Sequence, residues 1–127
     1  MDKKGTVVVV GGTSEIGKRL AQHYAGQGHP AVVTSRDAGR AQAAAEEVGD
    51  GCVGLSLDLT QPHGIAAALS EVDDVAHLVL VAVERDENSV RNYNIDGALS
   101  LVTLKLVGYT EVVHALAPRM RQRGSIV

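Results

Sequence analysis

A doubly wound α/β fold, with a parallel sheet between two layers of helices, is predicted by three observations. Wholly apolar, β-branched runs recur along the chain, amphipathic runs of helix length separate them, and glycines stand at the joints. Thr6–Val10 is the clearest run, a string of Thr and Val bounded by Gly5 and Gly11 that reads as a strand buried on both faces. From there the apolar positions Ile16, Leu20 and Tyr24 recur every four residues, and Gly26 and Gly28 close that helix. A second strand follows Pro30 over residues 31–34. Residues 41–48, rich in Ala and Glu, form a second helix that stops at Gly49. Residues 52–57 are the third strand, 65–72 a short helix after Gln61 and Pro62, and 76–83 another all-apolar strand. The order β-α-β-α-β-α-β implies right-handed crossovers. Residues 84–94 are polar and read as a loop. Beyond them Leu99, Val102, Leu106, Tyr109, Val113, Leu116 and Met120 form a stripe at helical spacing, so a long apolar helix closing at Gly124 is expected. Ser125, Ile126 and Val127 read as the start of a fifth strand. The expectation is one domain over residues 1–127, a three-layer αβα arrangement incomplete at its C-terminus.

Composition narrows the classes of partner. Apolar residues make up 45% of the chain, but Phe and Trp are absent and Tyr occurs three times, so Val, Leu, Ile and Ala have to build the core. Twelve basic residues against 15 acidic give a formal net charge of -3 with no basic block, which argues against nucleic acid. The single cysteine, Cys52, sits in an apolar run, so a buried, inert thiol and a reducing, cytoplasmic setting are expected. The first apolar run is far shorter than a signal sequence or a membrane span, and no membrane partner is expected. His23, His29, His63, His77 and His114 lack metal-ligand spacing, and no metal site is expected.

Between the first strand and the first helix stands Gly11-Gly12-Thr13-Ser14-Glu15-Ile16-Gly17, where a Rossmann-type sheet needs a tight turn against a phosphate. Gly11 lacks a Cβ, so the backbone can turn sharply and approach a diphosphate. Gly17 lets the helix pack close to the sheet, and the N–H groups opening the helix attract the anion. The segment resembles the Thr-Gly-x-x-x-Gly-x-Gly turn of the short-chain dehydrogenase/reductase family. Gly11, Ile16 and Gly17 match, Thr13 and Ser14 supply the small hydroxyl residues usual between them, Val10 replaces the Thr, and Glu15 replaces the middle Gly. A carboxylate at Glu15 repels a diphosphate unless it turns toward solvent or a backbone N–H. The resemblance covers essentially the whole chain. It implies an NAD(P)-binding fold and an oxidoreductase that transfers hydride between nicotinamide and a carbonyl or alcohol substrate.

Further motifs extend the resemblance. Ser35 stands where NAD-selective members carry an acid, and Arg36 follows it, a pattern similar to NADP-preferring members. An Arg fork can bind a 2′-phosphate bidentately, and NADP is therefore expected over NAD. The other reading of Arg36 is a solvated charge paired with Asp37. Asp58 and Leu59 resemble the family's Asp-Leu/Val pair, whose acid and apolar side chain contact the adenine ring, although Asp58 or Thr60 can also cap the next helix. Where the family carries Asn-Asn-Ala-Gly this chain has Leu80-Val81-Ala82-Val83. Only Ala82 survives of that motif; the resemblance implies that the backbone at Ala82 and Val83 still follows the same course beneath the cofactor, while Leu80 and Val81 cannot make the asparagines' hydrogen bonds.

On the long helix, Leu104-Lys105-Leu106-Val107-Gly108 aligns with the family's Val-Asn-Leu-x-Gly, and Ala117-Pro118-Arg119-Met120 with its Leu-Pro-x-Met. Lys105 thereby takes the place of the active-site Asn. It is the candidate catalytic residue, pointing into the cleft and acting electrostatically on substrate or cofactor, against a reading as a snorkelling lysine that covers apolar surface. The family's Ser and Tyr-x-x-x-Lys follow its fifth strand. Four places after Tyr24, Tyr93 and Tyr109 stand Gly28, Gly97 and Val113, so no such pair occurs here, and this chain alone is expected to be inactive. Glu15, the lost asparagines and Lys105 favour the alternative, a non-catalytic NADP-binding or sensing protein. The resemblance also implies a homodimer or homotetramer built through the long helix.

Overall fold

Consecutive β-branched residues are stiff and apolar on both sides of an extended chain, so they belong in the middle of a sheet covered on both faces. The computed structural model, which describes residues 3–84 and 87–127, places them there. Its strands are β1 (Thr6–Val10), β2 (Ala31–Ser35), β3 (Val53–Ser56), β4 (Val75–Leu80) and β5 (Met120–Ile126). Its α-helices are α1 (Glu15–Gly26), α2 (Ala38–Val48), α3 (Ile65–Ala68), α4 (Ile95–Val102) and α5 (Tyr109–Leu116). All strand pairs are parallel, in the order β3-β2-β1-β4-β5. The chain thus winds outward from β1 to β3, returns, and winds the other way from β4 to β5, which puts a topological switch point beside β1.

Alternate residues of β1 feed two cores. Val7 and Val9 join Val33 and Val79 beneath α1 and α2, whose contacts are the small Ala21, Ala25, Ala44 and Ala45 together with Val48. Val8 and Val10 join Leu78 on the other face, against Leu69, Leu104, Val112 and Leu116. A core without Phe or Trp is closed by alanines that let the helices come near the sheet.

Several boundaries differ from expectation. The helix expected over 65–72 forms only at Ile65–Ala68, after a 3-10 turn at Pro62–Gly64. The Arg119 guanidinium explains how it can stop early: it donates to the carbonyls of Leu69 at 2.7 Å and Val72 at 2.9 Å, taking over acceptors that the truncated helix leaves open. β4 ends at Leu80 rather than residue 83, and Val81 to Val83 turn away as a loop after one more bond, Val81 N to Val10 O at 2.9 Å. Of the polar loop expected over 84–94, Arg85 and Asp86 lie outside the described residues, as do Met1 and Asp2.

The long helix differs most. Helical turns run without a break over Ile95–Arg119, a stretch of 25 residues with a π-helical segment at Thr103–Gly108 between α4 and α5. By length and apolar content it is sufficient to cross a membrane, but here its inner side covers the sheet. That inner side is Leu104, Gly108, Val112 and Leu116. Of the apolar stripe expected from the sequence, Leu99, Val102 and Leu106 are 57%, 54% and 65% exposed. Leu104 and Gly108, four apart, stay in line because the i→i+5 bonding of the π segment between them unwinds the helix. Gly108 pins that face inward: a Cβ there would lie 2.5 Å from the carbonyl oxygen of Leu59. Nor does the helix reach Gly124. Pro118 has no N–H to donate, helical winding ends at Arg119, and Met120 already belongs to β5. Met120 pairs with Val75 and Ser125 with His77, and the slip between these pairs holds the left-handed Arg123.

Candidate functional site

Strands of a parallel sheet all end on one edge, and there β1 runs into the glycine turn. Gly11 has φ +92°, and a Cβ on it would stand 2.5 Å from both N and Cα of Ala82, so the turn lies directly on the segment that leaves β4. Gly12, buried, would meet the Val33 Cβ at 2.5 Å. The buried Thr34 ties the turn to β2, its hydroxyl accepting from Gly11 N at 3.3 Å and its carbonyl from Gly12 N at 3.1 Å. Ser14 caps α1 by accepting from Gly17 N at 3.0 Å, and a Cβ on Gly17 would lie 2.7 Å from Gly11 O. With the cap used on Gly17, the N–H groups of Glu15 and Ile16 are the two at the head of α1 for which the helix has no acceptor.

Around this turn lies a cleft of about 380 Å³. Of the residues named from the sequence, Gly11, Thr13, Ser14, Ser35, Arg36, Leu59, Ala82 and Val83 line it. Gly17 is buried beneath it as a packing residue. The Glu15 carboxylate is exposed and turned back along α1, 3.5 Å from Lys18 Nζ and 3.9 Å from Arg19 Nε, so it does not face the cleft. Ile16 is 67% exposed, because a first-turn side chain leans toward the helix start and past the edge of the sheet. The buried face of α1 is instead Gly17, Ala21 and Ala25.

At the end of β2, Arg36 does not pair with Asp37. Asp37 caps α2, accepting from Arg40 N at 2.8 Å, and the Arg36 guanidinium stands 3.8 Å from Glu84. Arg40 also lines the cleft, a second cation there that sequence reasoning missed. Its signal was available: an Arg one turn into a helix that starts at the end of β2. Asp58 spends one carboxylate oxygen on Thr60, accepting from its N–H at 2.9 Å and its hydroxyl at 2.6 Å. Neither residue caps a helix, since Gln61 precedes the 3-10 turn without a side-chain cap bond. Leu59, buried, and Leu57 form the apolar wall.

Lys105 reaches the same region from behind. Its ammonium donates to Ala82 O at 3.2 Å and to Tyr109 Oη at 3.4 Å and lies 5.0 Å from the Tyr109 ring centre, and the Tyr109 hydroxyl donates to the same carbonyl. Lys105 is not among the residues lining the cleft. At the other end of β1 the fold gathers rings that are far apart in sequence. Tyr24 lies 5.6 Å from His29 and 5.2 Å from His77, and His77 Nδ1 is 2.6 Å from Ser125 Oγ. Among the described residues no group of three possible ligands could hold a metal. Cys52 is half-buried, and burial pushes its thiol up to about 11, which keeps it protonated at neutral pH.

Sheet order, glycine turn and cleft together define a doubly wound α/β protein of the Rossmann type, with its site at the C-terminal edge of β1. The chain belongs to the short-chain dehydrogenase family, a family of NAD(P)-dependent oxidoreductases, whose model matches residues 5–127. It is 32% identical over 134 residues to the 3-oxoacyl-[acyl-carrier-protein] reductase of Bos taurus, covering 100% of this chain and 55% of that protein. Among solved structures it is similar to a short chain dehydrogenase/reductase family protein, with a TM-score of 0.86, 30% identity and coverage of 99% of this chain and 55% of the other. It is also similar to a short-chain dehydrogenase from Sphingobium yanoikuyae in complex with NADPH, with a TM-score of 0.78, 28% identity and coverage of 91% and 48%. The chain spans about half the length of the curated relatives it matches.

Proposed function

We propose that this chain supplies the NADP(H)-binding part of an oxidoreductase that moves hydride between nicotinamide and a carbonyl or alcohol group of a small molecule. The observation that carries the reading is the pairing, in one cleft, of the glycine turn at the head of α1 with the guanidinium of Arg36 at the end of β2. The donor set suits the group: amides of Glu15 and Ile16 and the hydroxyls of Thr13 and Ser14 for a diphosphate, Ser35 with Arg36 and Arg40 for a 2′-phosphate, Leu59 for the adenine, Ala82 and Val83 beneath the remainder. Asp58, which does not line the cleft, is proposed to reach the adenine only through the carboxylate oxygen that Thr60 leaves unused. Bound NADP(H) would supply the hydride. The NADPH complex of the Sphingobium yanoikuyae relative supports the same choice of dinucleotide.

Lys105 is proposed to act at the nicotinamide end, where it holds the Ala82 carbonyl and places a positive charge next to the cleft wall. In the full-length protein Lys105→Ala is expected to slow turnover more than it weakens NADPH binding; unchanged turnover would remove the role. The exposed stripe of Leu99, Val102 and Leu106 supports a homodimer or homotetramer through the long helix. Sedimentation of the full-length protein should show that assembly, and a monomer at micromolar concentration would count against it. Cys52, a thiol kept protonated by burial, fits a reducing cytoplasm. The test of the whole reading is titration of the full-length protein with NADPH and NADH, followed by nicotinamide fluorescence. Tighter uptake of NADPH is expected, and uptake of neither would sink it. Tight NADPH binding without turnover on any ketone or alcohol would favour a sensing protein instead.

A further inference from the structure

We propose that Glu84 is a latch on the cleft: through Arg36 it bridges the mouth above β1 and competes with the 2′-phosphate of the dinucleotide for the same guanidinium. The proposal rests on the NADP reading above and adds a residue that sets the strength and selectivity of that binding.

The sheet order makes the contact unusual. Arg36 directly follows β2, and Glu84 follows β4 by four residues, yet β2 and β4 are not neighbours. β1 lies between them, so the strand ends carrying this pair are two strand spacings apart, roughly 10 Å. Arg36 Nη1 and Glu84 Oε1 nonetheless stand 3.8 Å apart. The pair therefore spans the width of β1, from the end of β2 to the segment that follows β4, and although Glu84 does not itself line the cleft, its partner Arg36 does. Arg36 and Val83, the residue before Glu84, both line the cleft at that level.

The two partners are held differently. The Glu84 side chain is only 26% exposed, and its second oxygen accepts from the Ser100 hydroxyl at 2.9 Å, which ties it to α4. The Arg36 side chain is 58% exposed and has Glu84 as its ionic partner. The acid is the fixed post and the arginine the swinging arm. A ligand laid along the turn has to part them. One carrying a 2′-phosphate gains the released guanidinium as a charge-assisted partner, whereas one with a bare 2′-hydroxyl opens the pair without that return. Glu84 also places a negative charge near any phosphate that approaches Arg36. Both effects lower affinity below what the open cleft would reach, in proportion to the fraction of molecules that stand open.

Two fragments that need no turnover separate the possibilities: 2′,5′-ADP, which carries the 2′-phosphate, and ADP, which does not. Binding of each to full-length wild type and Glu84→Gln would be measured by calorimetry, with thermal unfolding to confirm that the variant is folded. Glutamine keeps the size of the side chain and can still accept from Ser100. An exposed ion pair of this length translates into about a two- to fivefold gain in affinity for 2′,5′-ADP in the variant, with a smaller gain for ADP. The wild-type deficit should shrink as salt is raised. Equal affinity of the two proteins for 2′,5′-ADP, or an equal gain for both fragments, would overturn a competition for Arg36. If neither protein bound either fragment, the dinucleotide reading itself would fall and take the latch with it.

Discussion

Valine in place of Gly11 is expected to destabilise the fold by about 3–5 kcal/mol, the sum of a β-branched residue forced to a left-handed backbone and of overpacking against a rigid neighbour. The backbone there has φ +92°, and the added Cβ would stand 2.5 Å from the N and Cα of Ala82. The obstacle is main chain in the segment that leaves β4, next to the central strand β1, so no rotamer change relieves it. Against a total stability of roughly 5–15 kcal/mol, such a loss approaches unfolding. Thermal unfolding of the full-length protein should fall by roughly 6–20 °C, at about 2–4 °C for each kcal/mol. Any fold that survives should have lost the cleft, because Ala82 forms its wall. Gly26→Ala is the control. Nothing lies within 4 Å of a Cβ built there, so that variant should match or slightly exceed the parent. A Gly11→Val protein melting within 2 °C of wild type, an order-of-magnitude miss on the loss above, would show that the turn is not as tight as described.

Alanine in place of Arg36 is expected to separate the two dinucleotides. A charge-assisted hydrogen bond to phosphate contributes about 1.5–3 kcal/mol, so NADPH affinity should drop about ten- to hundredfold while NADH affinity holds or rises slightly. Arg40 lines the same cleft and would retain part of the binding, which places the result toward the smaller loss. Arg36→Ala, Arg40→Ala together should then exceed either alone. Because the guanidinium also engages Glu84, removing it abolishes the latch, which accounts for the slight rise expected for ligands lacking a 2′-phosphate. An unchanged ratio of NADPH to NADH affinity in Arg36→Ala would mean that the phosphate is held elsewhere.

Much of the site was legible before any coordinates because its parts are local. Gly11, Thr13, Ser14, Ser35, Arg36, Leu59, Ala82 and Val83 each end a strand or follow one by a few residues, and in a parallel sheet every such position lies on the same edge. What the sequence left open was the direction of individual side chains. Glu15 and Asp58 sit at the right places in the chain, but their carboxylates are engaged by Lys18 and Arg19 in one case and by Thr60 in the other. A side chain's choice among several near partners is decided by distances of an ångström, to which sequence spacing is blind.

The sequence by itself determined the alternation of strands and helices, the parallel sheet and the location of the glycine turn, because these follow from β-branched runs, helical periodicity and the place of the glycines between strand and helix. Only the tertiary structure decided which side of the long helix faces inward, where that helix ends, and what Arg36 and Lys105 hold. Both sides of the helix are apolar, so burial preference could not choose between them. The choice fell to the close approach of Gly108 to Leu59, a contact between residues 49 positions apart in the chain. Arg36 meets Glu84 for the same kind of reason: the order of strands in the sheet, which no local pattern encodes, sets their ends on either side of β1.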